Sequence, residues 1–221
     1  LIFFQDAKVM PNFSLNLSPA FCLNPFLHSQ PEHRFMARLI PQKLRNKLAL
    51  RMLSFASAQG RMKQGTSLNK ASTLILIYKG ETEAKYKLVK DISNYLKSEF
   101  GVKRVMRLAY IDAEEKMTPI WHMRKLESDF FCQSDLNWHY KPIKNVEGLV
   151  NERFDILINL DPDAAIPIDF FVAMSKAKMK VSNHSSRRRK DYDILLPPEK
   201  GDTWKQRNHR IIKFLSESPL S

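Results

Sequence analysis

Two short apolar runs separated by a helical stretch constrain the fold of this chain more than any other feature. Residues 72–78 (STLILIY) form an unbroken apolar run, as expected for a strand that is buried on both faces of a sheet. Residues 104–111 form a second run, and between the two Thr82 can cap a helix that extends to Phe100. This β-α-β order predicts parallel strands that are joined by a right-handed crossover.

The C-terminal half of the chain continues the alternation of strands and helices. The pattern predicts further strands at 154–160, 179–182 and 192–196, and helices near 146–152, 168–176 and from residue 202 or 203 onward. Residues 113–144 are irregular and rich in large side chains, which is typical of a functional loop or of small local elements. We therefore predict an α/β fold with three layers and a mainly parallel sheet of about five strands, flavodoxin-like or half-Rossmann-like.

Most of the net charge of +13 belongs to a segment that precedes this fold. Ten Lys or Arg residues and no Asp or Glu occur between His33 and Gly80. Within this segment residues 41–57 show a helical pattern, and Leu44, Leu48, Met52 and Phe55 fall on one stripe. We expect this basic N-terminal helical extension to lie outside the core of the sheet domain, and its charge indicates an acidic partner.

The expected organisation is a leader, a basic segment and a folded domain. Residues 1–35 lack helical or strand periodicity and are interpreted as a disordered leader, with Met36 as one possible natural start. Residues 36–70 are assigned to the basic helix and its linker, and residues 71–221 to the α/β domain.

Several classes of protein are excluded by the residues that the chain lacks. No run of about 18 apolar residues exists, so no transmembrane segment is expected. The two cysteines, Cys22 and Cys132, are far apart and form no CxxC pair, which favours a reducing compartment and a cytoplasmic location. No glycine-rich phosphate-binding motif is present, and the turn at 79–83 (KGETE) places two carboxylates where a phosphate would bind. We expect no cofactor.

Three carboxylates follow the predicted strands. Asp112 ends the second strand, and Asp161 and Asp163 follow the third. Because ligands of open α/β sheets bind beyond the carboxyl ends of the strands, these residues are candidates for a ligand or Mg²⁺ site. The alternative, which we favour, is that Asp-Pro-Asp is turn chemistry and that Asp163 caps the following helix.

A cysteine and two histidines occur within the irregular stretch. Cys132, Asp135 and His139, with His122 nearby in sequence, would form a nucleophilic pair only if the fold brought the thiol and an imidazole together. A buried thiol beside an aromatic loop is the favoured interpretation, and the spacing is a poor match to a zinc site.

Two groups of basic residues are candidates for phosphate contacts, which give affinity without reading a base sequence. They are Lys43, Arg45, Lys47, Arg51, Arg61 and Lys63 in the N-terminal segment, and Arg187, Arg188, Arg189 and Lys190 in a later loop. The leading interpretation is a non-enzymatic protein that docks on RNA or a ribonucleoprotein through these side chains. The alternatives are a phosphoryl or glycosyl transfer enzyme that uses the strand-end carboxylates, and a protein whose N-terminal helix lies on an anionic membrane surface.

The stretch from Phe130 to Ser182, which contains CQSDLNWHYKP and FDILINLDPDAAIPIDFFVAMSKAKMKVS, resembles an uncharacterised bacterial family of short α/β proteins. The resemblance extends from about Met36 to the C-terminus, and it implies an α/β fold but supplies no catalytic residues. The portion from FDILINL to AKMKVS is also similar to the FD-strand-helix-AK-strand unit of bacterial heptosyltransferases.

Overall fold

Six parallel strands form one sheet in the part of the chain that the structure describes. The structure is a computed structural model, and it describes residues 40–183, 188–197 and 199–218. The strands are β1 (Thr73–Lys79), β2 (Arg104–Ile111), β3 (Ser128–Cys132), β4 (Ile156–Asn159), β5 (Met179–Asn183) and β6 (Ile194–Leu196). Their order across the sheet is β3-β2-β1-β4-β5-β6, and every neighbouring pair is parallel.

Helices cover both faces of the sheet. They are α1 (Gln42–Phe55), α2 (Glu83–Phe100), α3 (Glu147–Asn151), α4 (Ile166–Met174) and α5 (Trp204–Glu217). Apolar side chains of α2 and α5 pack with those on one face of the sheet, and those of α3 and α4 pack with the other face. The predicted α/β class and the three layers are confirmed.

The strand order is that of a complete doubly wound sheet rather than half of one. The chain proceeds outward from β1 to β2 and β3, and then returns to place β4 on the other side of β1. The order therefore reverses between β1 and β4, which is the topological switch point where ligands of such folds usually bind. The first three predicted strands are parallel in one sheet, as expected, with β1 between the other two.

The strand β3 was missed by the prediction from sequence. It has only five residues, SDFFC, and it lies at the edge of the sheet, where it pairs with β2 alone. No α-helix separates it from β2, because the connection contains only a short 3-10 turn at Glu115–Met117. The expected alternation of strand and helix is broken here, and the count rises from about five strands to six.

The ends of α2 follow directly from local chemistry. The Thr82 hydroxyl accepts a hydrogen bond from the Lys85 backbone N–H at 3.3 Å, which satisfies a free donor of the first turn. Gly101 ends the helix with a φ of 65°, a left-handed conformation that glycine adopts without the steric cost of a side chain.

The helix α1 packs on the α/β core through a face that does not include the apolar stripe seen in the sequence. Its buried residues are Ala49 and Leu53, and Leu53 contacts Phe170 and Ala173 of α4. Residues four apart share a helix face, so Ala49 and Leu53 form an inward face that is separate from the stripe. The stripe of Leu44, Leu48, Met52 and Phe55 is at least partly exposed.

The linker after α1 also belongs to this packed unit. The Arg61 guanidinium donates to the backbone oxygens of Ala177 and Lys178 at 2.7 and 3.0 Å, and it forms an ion pair with Asp193. Leu68 is fully buried in the core under α2 and α5. The expected boundary at residue 71 therefore does not mark a break in the packing, because α1 and the linker contribute buried side chains on opposite sides of the sheet.

We expect Leu53→Ala to lower the free energy of unfolding by about 2 to 5 kcal/mol, because it leaves a cavity between α1 and α4. The matched control is Leu50→Ala on the same helix, which removes a partly exposed side chain and should change stability by about 0.5 kcal/mol or less. Urea unfolding monitored by circular dichroism measures both. Equal unfolding curves for the two variants would show that α1 does not stabilise the domain.

Candidate functional site

The switch point between β1 and β4 is filled by the chain's own side chains. The Asp161 carboxylate accepts hydrogen bonds from the Lys79 backbone N–H at 2.8 Å and from the Trp204 indole Nε1 at 2.7 Å. It also forms an ion pair with Lys85 Nζ at 2.8 Å. Asp161 is buried, and these contacts connect the end of β1 with α2 and α5. It therefore acts as a structural connector at the place where a ligand would be expected.

The turn after β1 is also closed. The imidazole of His122, which is buried, lies against the Tyr86 ring, with their centroids 5.3 Å apart. A Cβ at Gly80 would lie 2.7 Å from His122 Nε2, so the imidazole approaches the turn as closely as glycine allows. Burial lowers the pKa of His122 to about 4, which keeps the ring neutral near pH 7. His122 therefore occupies the space beside this turn.

Asp112 lies at a separate place from Asp161. Its Oδ1 accepts a hydrogen bond from the Tyr110 hydroxyl at 3.0 Å and another from the Gln133 carboxamide at 2.9 Å. The side chain is exposed at the carboxyl end of β2, on the rim of a groove that Asp161 does not line.

Asp163 does not cap α4, contrary to the favoured prediction. Asp163 has a φ of 62°, a backbone conformation that is found in tight turns. The N-cap position of α4 is occupied by Ala165 instead. The structure does not bring Asp112, Asp161 and Asp163 together, and within the described ranges no group of three or more His, Cys, Asp or Glu side chains is arranged to hold a metal. The candidate Mg²⁺ site, which was not the favoured interpretation, is therefore not formed by these three carboxylates.

The thiol of Cys132 is part of a tight turn. Asp135 Oδ2 accepts hydrogen bonds from the Cys132 backbone N–H at 2.8 Å and from its thiol at 3.3 Å. Asn145 donates to the other oxygen of the same carboxylate at 2.6 Å. Burial raises the pKa of Cys132 to about 11, so the reactive thiolate is disfavoured near pH 7.

The two histidines of the irregular stretch have other neighbours. His139 Nε2 lies 3.0 Å from the Asn137 carboxamide, and its ring packs edge-on against Trp138 at 4.8 Å. His122 lies at the turn after β1. The favoured interpretation, a buried thiol without a nucleophilic pair, agrees with this geometry.

Arg45, one of the predicted phosphate ligands, is used inside the fold. Its guanidinium lies 3.9 Å from the centroid of the Tyr140 ring and donates to the Trp138 backbone oxygen. These contacts hold the loop after β3 against α1. A cation that is already paired with a ring and a carbonyl is a weaker phosphate ligand than a free one.

Other predicted basic residues are divided between internal and exposed positions. Arg61 and Arg188 form ion pairs within the fold, with Asp193 and Asp191 respectively. Lys63 is largely exposed, with Nζ 3.6 Å from Asp193. Arg189 is exposed, and Arg187 lies outside the described residues.

A row of exposed cations extends along α1. Lys43, Lys47 and Arg51 are four residues apart, so they lie on one side of the helix over a length of about 12 Å. Lys190 adjoins this row, because its Nζ donates to the Ser54 backbone oxygen at 3.0 Å. We call these four cations the basic row. Within the described ranges, no carboxylate lies within 4.0 Å of any of them.

An apolar row lies beside the basic row on the exposed side of α1. Phe55 is 75% exposed, and Leu44 and Met52 are each about half exposed. We call Leu44, Leu48, Met52 and Phe55 the apolar row. It is the stripe seen in the sequence, and all four of its side chains are at least partly exposed. Contiguous exposed apolar side chains are a common feature of interaction surfaces.

Lys180 is a basic residue that is buried in the sheet. Its Nζ donates to the backbone oxygens of Val172 and Ala173, at 2.5 and 3.4 Å, near the C-terminal end of α4. These carbonyls have no partner further along the helix, so the lysine satisfies them. Burial lowers the pKa of Lys180 to about 7.

A groove of about 570 Å³ opens at the carboxyl ends of β2 and β3. Its walls are α1, the loops after β2 and β3, and the start of α4. Prediction from sequence identified Asp112 in this groove but missed Gln133 and Tyr140. Those two residues follow β3, and without that strand their position beside Asp112 could not be inferred.

The model of a family of unknown function (DUF6913) matches residues 45–217, and the chain belongs to this family. The match covers the whole sheet and four of the five helices, together with most of α1. A search of curated proteins and a search of solved structures each found no match. No helix among the described residues is long and apolar enough to cross a membrane.

We expect Gly80→Ala to destabilise the protein by about 1 to 3 kcal/mol, because the added methyl group displaces His122 from its buried position. Gly148→Ala in α3 is the matched control. It meets no atom within 4 Å, and alanine favours a helix, so this change should leave stability unchanged or increase it. Thermal unfolding of both variants tests the difference. A neutral effect of Gly80→Ala would mean that the turn tolerates a side chain.

We expect Lys180→Met to change how stability depends on pH. The pKa of Lys180 is about 7 in the folded chain and ordinarily 10.5, so between these values the unfolded chain binds more protons. The contribution of Lys180 to the free energy of unfolding therefore rises with pH between these two values, by at most about 1.4 kcal/mol per pH unit. In Lys180→Met this contribution is absent, so the free energy of unfolding should rise less steeply with pH. Urea unfolding at about pH 7, 8 and 9 measures the slopes.

The control for this experiment is Lys90→Met, which replaces an exposed lysine of α2 and should keep the parent slope. If Lys180→Met shows the same slope as the parent protein, the buried lysine does not titrate in this range.

Proposed function

We propose that this protein docks on RNA or a ribonucleoprotein through phosphate contacts made by the basic row. The observation that carries the proposal is the arrangement of Lys43, Lys47 and Arg51 on one exposed side of α1, with Lys190 beside them. Cations that no carboxylate neutralises gain most from contact with phosphates, because binding releases the counterions of the nucleic acid.

The residues that we propose as phosphate ligands differ from the set that the sequence indicated. Arg45, Arg61 and Arg188 are engaged within the fold, so we assign them to structural roles. The phosphate ligands that we propose are the basic row, with Lys63 and Arg189 as outer contributors. None of these positions has an element that reads base edges, so binding should depend on charge and shape rather than on base sequence.

The apolar row supports a ribonucleoprotein over naked RNA. Phosphates can neutralise the basic row, but they leave Leu44, Met52 and Phe55 in water. An assembly that presents a protein surface next to its RNA would cover both rows together. We place this assembly in the cytoplasm, where the buried, unpaired thiol of Cys132 stays reduced.

A second candidate function is docking on an anionic membrane surface. The specific observation in its favour is again the apolar row beside the basic row, since an interfacial helix needs both. Leu50 and Leu53 lie on another side of the helix from the apolar row, which weakens this candidate. Leu53 is buried against α4 and so does not interrupt the exposed side, but Leu50 is 41% exposed.

We expect the triple variant Lys43→Gln, Lys47→Gln, Arg51→Gln to lose affinity for RNA. Each lost phosphate contact should reduce the slope of log affinity against log salt by about 0.7 to 0.9, so the total reduction is about 2 to 3. Fluorescence anisotropy with a labelled single-stranded RNA and a labelled RNA hairpin, at several salt concentrations, measures the slope. Stability should change little, because these side chains are exposed.

The control is Lys90→Gln, Lys205→Gln, Lys213→Gln, which removes the same charge from exposed positions on α2 and α5. It should retain the parent slope. Flotation with anionic and neutral vesicles runs in parallel. Equal slopes of log affinity against log salt for the two triple variants would contradict the proposal. Binding to anionic vesicles without binding to RNA would also contradict it, and this second result would favour docking on a membrane surface.

A further inference from the structure

The groove at the carboxyl ends of β2 and β3 has the size and position of a small-molecule site. Its volume of about 570 Å³ lies within the range of roughly 300 to 1,000 Å³ that is typical of ligand pockets. It lies beyond the carboxyl ends of parallel strands, where α/β sheets bind ligands. Asp161 and its partners occupy the switch point between β1 and β4, whereas this groove is open.

Hydrogen-bonding groups from three separate elements face the groove. Asp112 follows β2, Gln133 follows β3, and Asn46 belongs to α1. Asp112 Oδ1 is held by Tyr110 and Gln133, and within the described ranges no protein group donates to its Oδ2. A carboxylate that is fixed through one oxygen presents the other to a ligand in a defined direction.

The charge of the groove selects against anionic ligands. Its charged lining consists of Asp112, Glu114 and Arg45. The Arg45 guanidinium is already placed over the Tyr140 ring and bonded to a backbone oxygen, whereas both carboxylates are exposed. Glu114 forms an ion pair with Lys116 at 3.8 Å, so a phosphate would meet the negative charge of Asp112 without a free cation in the lining.

Apolar side chains complete the lining. Leu136 lies on the side of the β3 loop, and Ile166 and Pro167 lie at the start of α4. A wall of this kind packs against C–H groups, while the carboxylate and the two amides exchange hydrogen bonds with hydroxyl groups.

We propose that this groove binds a neutral polyhydroxylated molecule, either a sugar or the ribose of a nucleoside. Hydroxyl groups of the ligand donate to Asp112 Oδ2 and exchange hydrogen bonds with Gln133 and Asn46, and its carbon skeleton packs on Leu136 and Ile166. The site uses the side of α1 that borders the core rather than the basic row. Its existence therefore does not depend on docking to RNA.

The test is a titration of the full chain, followed by amide chemical shifts in NMR spectra. The probes are methyl β-ribofuranoside, adenosine, inorganic phosphate and glycine, each to millimolar concentration. We expect saturable shifts with the riboside or with adenosine at residues of the groove, and none with phosphate or glycine. Binding of both neutral probes identifies the sugar as the recognised part, and binding of adenosine alone adds a contact with the base.

Asp112→Asn keeps the shape of the side chain and removes its charge, and it should weaken binding by about tenfold or more. The matched control, Asp91→Asn, changes an exposed aspartate of α2 and should bind as the parent does. Three results would overturn the proposal: no saturable shift with either neutral probe, equal binding by Asp112→Asn and Asp91→Asn, or binding of phosphate or glycine alone.

Discussion

The structure depends most on the buried carboxylate of Asp161. This one side chain joins the backbone at the end of β1, the ammonium group of Lys85 on α2 and the indole of Trp204 on α5. A buried charge is tolerated only when it is paired and hydrogen-bonded, and all three partners meet that requirement. In a doubly wound sheet this point usually receives a ligand, whereas here Asp161 and its three partners form an internal network at this point.

How much of this fold could be predicted depends on how strongly each element signals itself in the sequence. The run TLILIYK of β1 is buried on both faces, and α2 begins and ends at a capping threonine and a terminal glycine, so both were recognised. β3 is short, contains Asp129 and lies at the edge of the sheet, so neither apolar content nor alternation marks it. Because β3 was not predicted from the sequence, the groove that the loop after β3 lines was not predicted either.

The direction in which α1 faces could not be derived from its own sequence. The helix carries four large apolar side chains on one side and Leu50 and Leu53 on another, so its sequence pattern does not decide which side is buried. The structure buries Ala49 and Leu53, and Leu53 packs beside Phe170 and Ala173 of α4. Which stripe a surface helix buries is decided by the shape of its neighbour, and that shape arises more than a hundred residues later in the chain.

The sequence also does not show which basic side chains are exposed and which are used inside the fold. Arg61 and Lys43 have equal formal charge in the same basic segment, but Arg61 binds two backbone oxygens and Asp193, whereas Lys43 is exposed. A count of basic residues therefore overstates the surface that is available to phosphates, since part of it stabilises the fold. What remains is concentrated on α1, whose three sides face the core, the groove and the solvent. Any partner that binds the solvent side contacts the helix that also forms a wall of the groove, so the two surfaces share one rigid element.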